Sequence, residues 1–244
     1  MTDRTFDKSP GLQARVAGGL YVINIVTGFF AIMLVRAALV VPNDPATTAA
    51  NILAHDMRYR LGFVAEIITC LTVIPLTLIF YNLLRVVNRN LALAVVCLDL
   101  VGTTIESVVL LNHFAPLIYL KGGSYLSTFT PQQLQAQAYM SLQLQDIGLD
   151  ISLVFFGFDL LITAYLIYQS TFLPRIIGVL LAIEGVGYLI NSFTLFLAPA
   201  LQAKIFPYFL YTGLAEVLLA LWLVVMGVNV PKWEQKASLA GSKA

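Results

Sequence analysis

Eight carboxylates lie inside or at the edges of long apolar runs: Glu66, Asp99, Glu106, Asp146, Asp150, Asp159, Glu184 and Glu216. One arginine, Arg36, shares that setting, and His113 stands near a boundary. An ionised side chain at the centre of a membrane helix costs at least ~2.5–3.5 kcal/mol, so such groups are kept for pairing, proton handling or ligand binding. Helical spacing gathers several of them. Asp99, Glu106 and His113 recur at seven-residue intervals along one stripe, and Glu184, Tyr188 and Asn191 follow i, i+4, i+7. Counting ~1.5 Å of rise per residue from each span's entry puts Arg36, Glu66, Glu106, His113 and Asp150 in one half of the membrane. Glu184 and Glu216 fall near the middle. The expected ligand-binding set is Arg36, Glu66, Glu106, His113, Asp150, Glu184, Asn191 and Glu216, with Arg36 as the counter-ion of an acid-lined cavity open to the outside. The competing reading is that protonated acids serve as hydrogen-bond glue between helices.

The elements that must position these groups are transmembrane helices. Hydrophobic residues make up 59% of the chain and charged residues 11%, against the roughly 25% charged content of soluble domains. Mean hydropathy is +0.85. Six runs reach the roughly 20 residues that a ~30 Å hydrocarbon core requires: 14–41, 59–84, 91–118, 147–168, 174–198 and 206–229. The expected fold is therefore all-α and polytopic, a six-helix bundle within 14–230. Polar tails are expected at 1–13 and 231–244. Asp44-Pro45 is an N-cap followed by proline at the first helical position, which predicts a short surface helix over Ala46–His55. Thr130-Pro131 marks another helix start, whose glutamine-rich beginning either extends the fourth span above the membrane or lies along its surface. Val86–Asn90 and Gln169–Leu173 are short enough to make antiparallel hairpins.

Placing the amino terminus in the cytoplasm leaves Arg4, Lys8, Arg15, Arg85, Arg89, Arg175, Lys232, Lys236 and Lys243 inside. Only Arg58, Arg60, Lys121 and Lys204 then lie outside. That asymmetry predicts two cytoplasmic termini and a cytoplasmic-membrane location. Net charge is +1, which gives no case for nucleic acid. Cys70 and Cys97 both fall in apolar runs and read as small hydrophobes. Two histidines, with no HExxH motif and no paired cysteines, speak against a hydrolytic zinc centre, so neither metal nor cofactor is expected. Membrane lipids and a small cationic solute are the expected partners.

Several stretches resemble one bacterial membrane family, domain of unknown function 4386. They are Val35–Asp44 (VRAALVVPND), Thr47–Leu53 (TTAANIL), Arg60–Phe63 (RLGF) and Tyr81-x-Leu83-Leu84-Arg85. Phe155-Phe156-Gly157, the run from Tyr165 through Ser170 and Phe172-Leu173-Pro174-Arg175 to Gly178, Gly187–Ile190 and Ala220–Leu223 also fit. The resemblance runs from Arg15 to Gly227 and implies a prokaryotic cytoplasmic-membrane protein. It implies no activity. The functional expectation thus rests on the acids: binding or transport of a small cationic or protonatable solute. An intramembrane enzyme with a carboxylate/histidine site, with or without a metal, and a structural or regulatory membrane partner with no ligand are the alternatives.

Overall fold

The computed structural model describes residues 9–209 and 213–241. The protein is an all-α polytopic membrane protein. Five helices are long and apolar enough to cross a membrane, six if one sharply bent pair counts as a span. Residues 1–8 and 242–244 of the two expected tails, and residues 210–212 of the expected sixth span, lie outside the described residues.

Helix α1 covers Pro10–Leu39. It starts four residues before the expected span because Ser9 caps it: the Leu12 amide donates to Ser9 Oγ at 3.4 Å, and Pro10 takes the first helical position. Over Phe30–Arg36 the helix widens to π geometry. Helix α2 is Pro45–Ala54, capped by the Asp44 carboxylate, which accepts from the Thr47 amide at 2.9 Å and the Thr47 hydroxyl at 2.6 Å. Helices α3 (Asp56–Leu84) and α4 (Arg89–Lys121) form the next hairpin. Helix α5 (Pro131–Ser170) runs unbroken for 40 residues. Its start is a reciprocal capping box, in which the Gln133 amide donates to Thr130 Oγ1 and the Thr130 amide to Gln133 Oε1.

Helix α6 (Arg175–Leu197) is followed by α7 (Pro199–Phe209) and α8 (Leu214–Val225). Within the expected span 206–229, helix covers Leu214–Val225, and residues 210–212 lie outside the described residues. Gly227, at φ +66°, ends the apolar run in the left-handed conformation that favours glycine, and its amide reaches back to the Trp222 carbonyl at 3.0 Å. The chain then turns by 100° into α9, Val230–Gly241. This helix lies over most of the polar stretch expected at 231–244. Asn229 caps it through the Lys232 amide at 3.2 Å, and Pro231 sits in its first turn. Trp233 and Lys236 hold it in place, with the indole Nε1 donating to the Leu83 carbonyl at 2.9 Å and Nζ to the Gln169 carbonyl at 3.1 Å. Both acceptors lie at helix C-termini, where carbonyls lack intrahelical partners.

Two compact units divide the chain. One comprises Asn24–Leu71 and Thr104–Leu149, here the middle unit. The other comprises Met1–Ile23, Thr72–Thr103 and Asp150–Ala244, the flanking unit. The middle unit is built on Val35, Leu39, Ile52, Tyr59, Leu117 and Leu142. Helices α1 and α3 approach closely there, since a Cβ added at Gly62 would stand 2.7 Å from Val35 Cγ1. In the flanking unit, α6 packs against α7 and α8, and Leu166, Ile167, Leu181, Leu219 and Leu223 are fully buried. Large apolar side chains such as Val26, Leu71, Leu111 and Ile183 point outward, as a lipid solvent requires.

Candidate functional site

The middle unit holds a connected polar network. Arg36, at the end of the π turn, donates from Nη1 to Gln145 Oε1 at 2.6 Å and from Nη2 to the Leu142 carbonyl at 2.8 Å. The same Nη2 pairs with Asp146 Oδ1 at 2.6 Å. Gln145 is wholly buried, and its Nε2 donates to Glu66 Oε1 and Oε2 at 3.2 and 3.3 Å. Arginine and glutamate therefore communicate through one neutral amide, and the arginine's direct ion partner is Asp146. The counter-ion role expected of Arg36 is met by Asp146, and no ion pair joins Arg36 to Glu66 or Glu106 among the described residues.

Beyond Glu66 comes His113, buried to 1% exposure, with Nδ1 at 2.8 Å from Glu66 Oε2. The approach is short but falls outside hydrogen-bond geometry. The far ring nitrogen, Nε2, lies 3.3 Å from the Tyr59 carbonyl, an oxygen that only accepts. The imidazole thus sits between the Glu66 carboxyl and the Tyr59 carbonyl. Tyr59 fixes the ring from one face, with centroids 4.5 Å apart, and its hydroxyl donates to the His113 carbonyl at 2.6 Å. Phe63 lies 5.7 Å from the ring.

Glu106, also in this unit, is half-buried and acts electrostatically on Glu66. Its carboxyl makes no hydrogen bond or ion pair among the described residues. Four of the eight expected site residues, Arg36, Glu66, Glu106 and His113, thus fall in the middle unit. Gln145 and Asp146 complete the network. A search restricted to span-embedded charge overlooks Gln145, and its signal was the long glutamine-rich start of an otherwise apolar helix.

The other four belong to the flanking unit. Tyr21 donates to Glu216 Oε1 at 2.7 Å. The Tyr188 hydroxyl lies 3.2 Å from Glu184 Oε1 and 3.4 Å from Glu216 Oε2. Asn191 donates to Asp150 Oδ1 at 2.7 Å and accepts from Gln202 at 3.2 Å. Among the described residues, no group of three or more His, Cys, Asp and Glu side chains is arranged to hold a metal ion. A pocket of about 560 Å³ opens in the middle unit among Leu53, Tyr119, Ser124, Phe129 and Gln135. None of the eight expected residues lines it.

The sequence matches the model of the family described as "Domain of unknown function (DUF4386)" over residues 16–227. A protein of Archaeoglobus fulgidus described as "Uncharacterized protein" is 35% identical over 79 residues, which cover 32% of this chain and 46% of that one. The chain thus spans less than half the length of that relative. No solved structure matches. The family match takes in both polar clusters and stops short of α9, and on that match the chain belongs to the DUF4386 family.

Proposed function

We propose that the middle unit binds a small cationic or protonatable solute at Glu66 and Glu106, and that this binding serves transport. The single observation that carries the reading is Glu106. It is a carboxyl inside a span, beside a second acid, with no protein hydrogen bond or ion pair among the described residues. A cation drawn to two carboxyls relieves their mutual repulsion. Arg36 is neutralised by Asp146, so it does not cancel the attraction. In this reading both termini are cytoplasmic, as the lysine and arginine asymmetry favours.

The test is a thermal-shift screen of detergent-purified protein against polyamines, quaternary ammonium ions and protonated amines. A cationic solute is expected to stabilise the wild type, with the effect lost in Glu106→Gln, which removes charge and keeps shape. An equal shift in Glu106→Gln, or no shift with any cation in the wild type, overturns the reading. A structural role is favoured by one different observation: the His113 ring is buried and packs on Tyr59 and Phe63. That role predicts that Glu66→Gln and His113→Asn alter melting temperature and leave solute response intact.

A further inference from the structure

Four segments of the flanking unit, 9–18, 81–92, 168–178 and 228–241, carry Arg15, Arg85, Arg89, Arg175, Lys232 and Lys236 but a single carboxylate, Glu234. Helix α9 brings these segments to one end of the unit. The chain turns by 100° before α9, so this helix lies across the helix ends. Trp233 reaches the end of α3, and Lys236 reaches the end of α5. The Asn229 amide donates to the Phe172 carbonyl at 3.1 Å, which ties in the α5–α6 turn. A Cβ added at Gly11 would stand 3.4 Å from Val230 Cγ2, so the start of α1 is there as well. None of the six cations forms an ion pair among the described residues. Five are exposed, and Lys236 is half-buried.

A bias of lysine and arginine toward one membrane face is general and does not by itself imply a ligand. Two of these cations have a more particular setting. Arg175 lies over the Tyr168 ring, 5.3 Å from its centroid, and Lys236 Nζ donates to the carbonyl of the next residue, Gln169, at 3.1 Å. Both therefore stand at the last turn of α5. The surface beside them faces lipid: Tyr165 is 52%, Tyr168 44% and Ile176 62% exposed. Exposed tyrosines at a span end mark the level of the headgroups. After the Gln169 bond the lysine keeps two N–H donors, and a guanidinium presents its donors as a fork that matches a phosphate. The pattern recurs at the end of α3, where Arg85 lies 5.8 Å from the Tyr81 centroid.

We propose that the last turn of α5 binds an anionic phospholipid, its phosphate held by Arg175 and Lys236 and its acyl chains lying along Tyr165, Tyr168 and Ile176. An anion joined to an apolar tail matches two cations beside a lipid-facing surface, and a soluble anion uses only half of that arrangement. A zwitterionic lipid offers the same chains but brings an ammonium, which the surrounding cations repel. Because Lys236 belongs to α9, the bound lipid also fastens α9 to the end of the unit.

The experiment titrates full-length protein in neutral detergent with phosphatidylglycerol and with phosphatidylcholine, both carrying brominated chains. Binding is read as quenching of tryptophan fluorescence, since Trp222 and Trp233 both lie near this end. A cation at an anionic headgroup is worth about fivefold in affinity, so two predict a preference of roughly 25-fold for phosphatidylglycerol at low salt. That preference should shrink in about 1 M NaCl. The double variant Arg175→Gln, Lys236→Gln should lose it, and Lys204→Gln, on α7 beyond the far end of α6, should keep it. Melting temperature is expected to rise with phosphatidylglycerol and to stay unchanged with inorganic phosphate or a short oligonucleotide. The proposal is overturned if the two lipids bind the wild type alike, or if the double variant keeps the full preference. It is equally overturned if phosphate or the oligonucleotide stabilises as much as the lipid, which would make the ligand a soluble anion. The comparison of lipids on the wild type decides the matter even where a variant does not fold.

Discussion

Gln145 is neutral, yet it joins the charged halves of the middle-unit network. Its oxygen accepts from Arg36 while its nitrogen donates to Glu66, and no water reaches it to substitute. Gln145→Leu keeps the volume and removes both bonds, leaving a buried guanidinium and carboxylate short of partners. The expected cost is about 2–5 kcal/mol, measured as lost stability in detergent. Gln145→Glu turns the donor toward Glu66 into a like charge and should be as damaging at high pH, recovering as the medium is acidified. A sequence search that ranks residues by formal charge passes over such a group, because the cost of burying a glutamine is set by partners that only the fold reveals. Asp44 was legible for the opposite reason: its partner lies three residues away. Hydrogen bonds from the Thr47 hydroxyl and then the Thr47 amide hold its carboxyl below the usual aspartate range. The folded pKa is lowered, so the cap contributes fully above the ordinary aspartate range and is lost as pH falls through the lower folded value. Hydrogen exchange at the start of α2 should accelerate across that interval, and Asp44→Asn should make the exchange insensitive to it.

At the scale of elements, the close crossing of α1 and α3 is set by Gly62 against Val35. Gly62→Ala is expected to cost about 1–3 kcal/mol through overpacking, and Val35→Ala in the same chain to recover part of it. If the double variant is no more stable than the simple sum of the two losses, the contact is not the cause. The α5–α6 turn carries a different strain. Thr171 is β-branched at φ +63°, a conformation such residues rarely adopt, so Thr171→Gly should raise stability by about 1 kcal/mol. Most element boundaries were readable because caps and prolines act locally: Asp44-Pro45 and Thr130-Pro131 both start helices where they stand. The π turn over Phe30–Arg36 was not. It adds a residue to the helical repeat, so counting in α-helical steps misassigns the face on which Arg36 emerges.

For the molecule as a whole, composition and span counting reveal a polytopic membrane protein before any contact is known. The crossing number is harder, because Leu214–Val225 has only 12 residues, about 18 Å at 1.5 Å per residue. That is short for a ~30 Å hydrocarbon core. The proposed cytoplasmic location of both termini requires an even number of crossings. Fluorescent-protein and alkaline-phosphatase fusions after Asn88 and after Gly241 should therefore report the same side. Opposite sides would mean that α8 and α9 do not complete a sixth crossing. The distribution of acids between two units was beyond sequence reasoning, since depth along a helix says nothing about which neighbours share a face.

The indole of Trp233 and the carbonyl of Leu83 are 150 residues apart in the chain. During synthesis the end of α3 emerges long before Trp233, so that carbonyl waits uncovered until α9 has followed it and closed back onto α3. A chain stopped at Gly227 would possess every residue of the family match and still lack its latch. Pulse-chase proteolysis is expected to show such a truncated chain inserting normally and being degraded faster than the full-length protein.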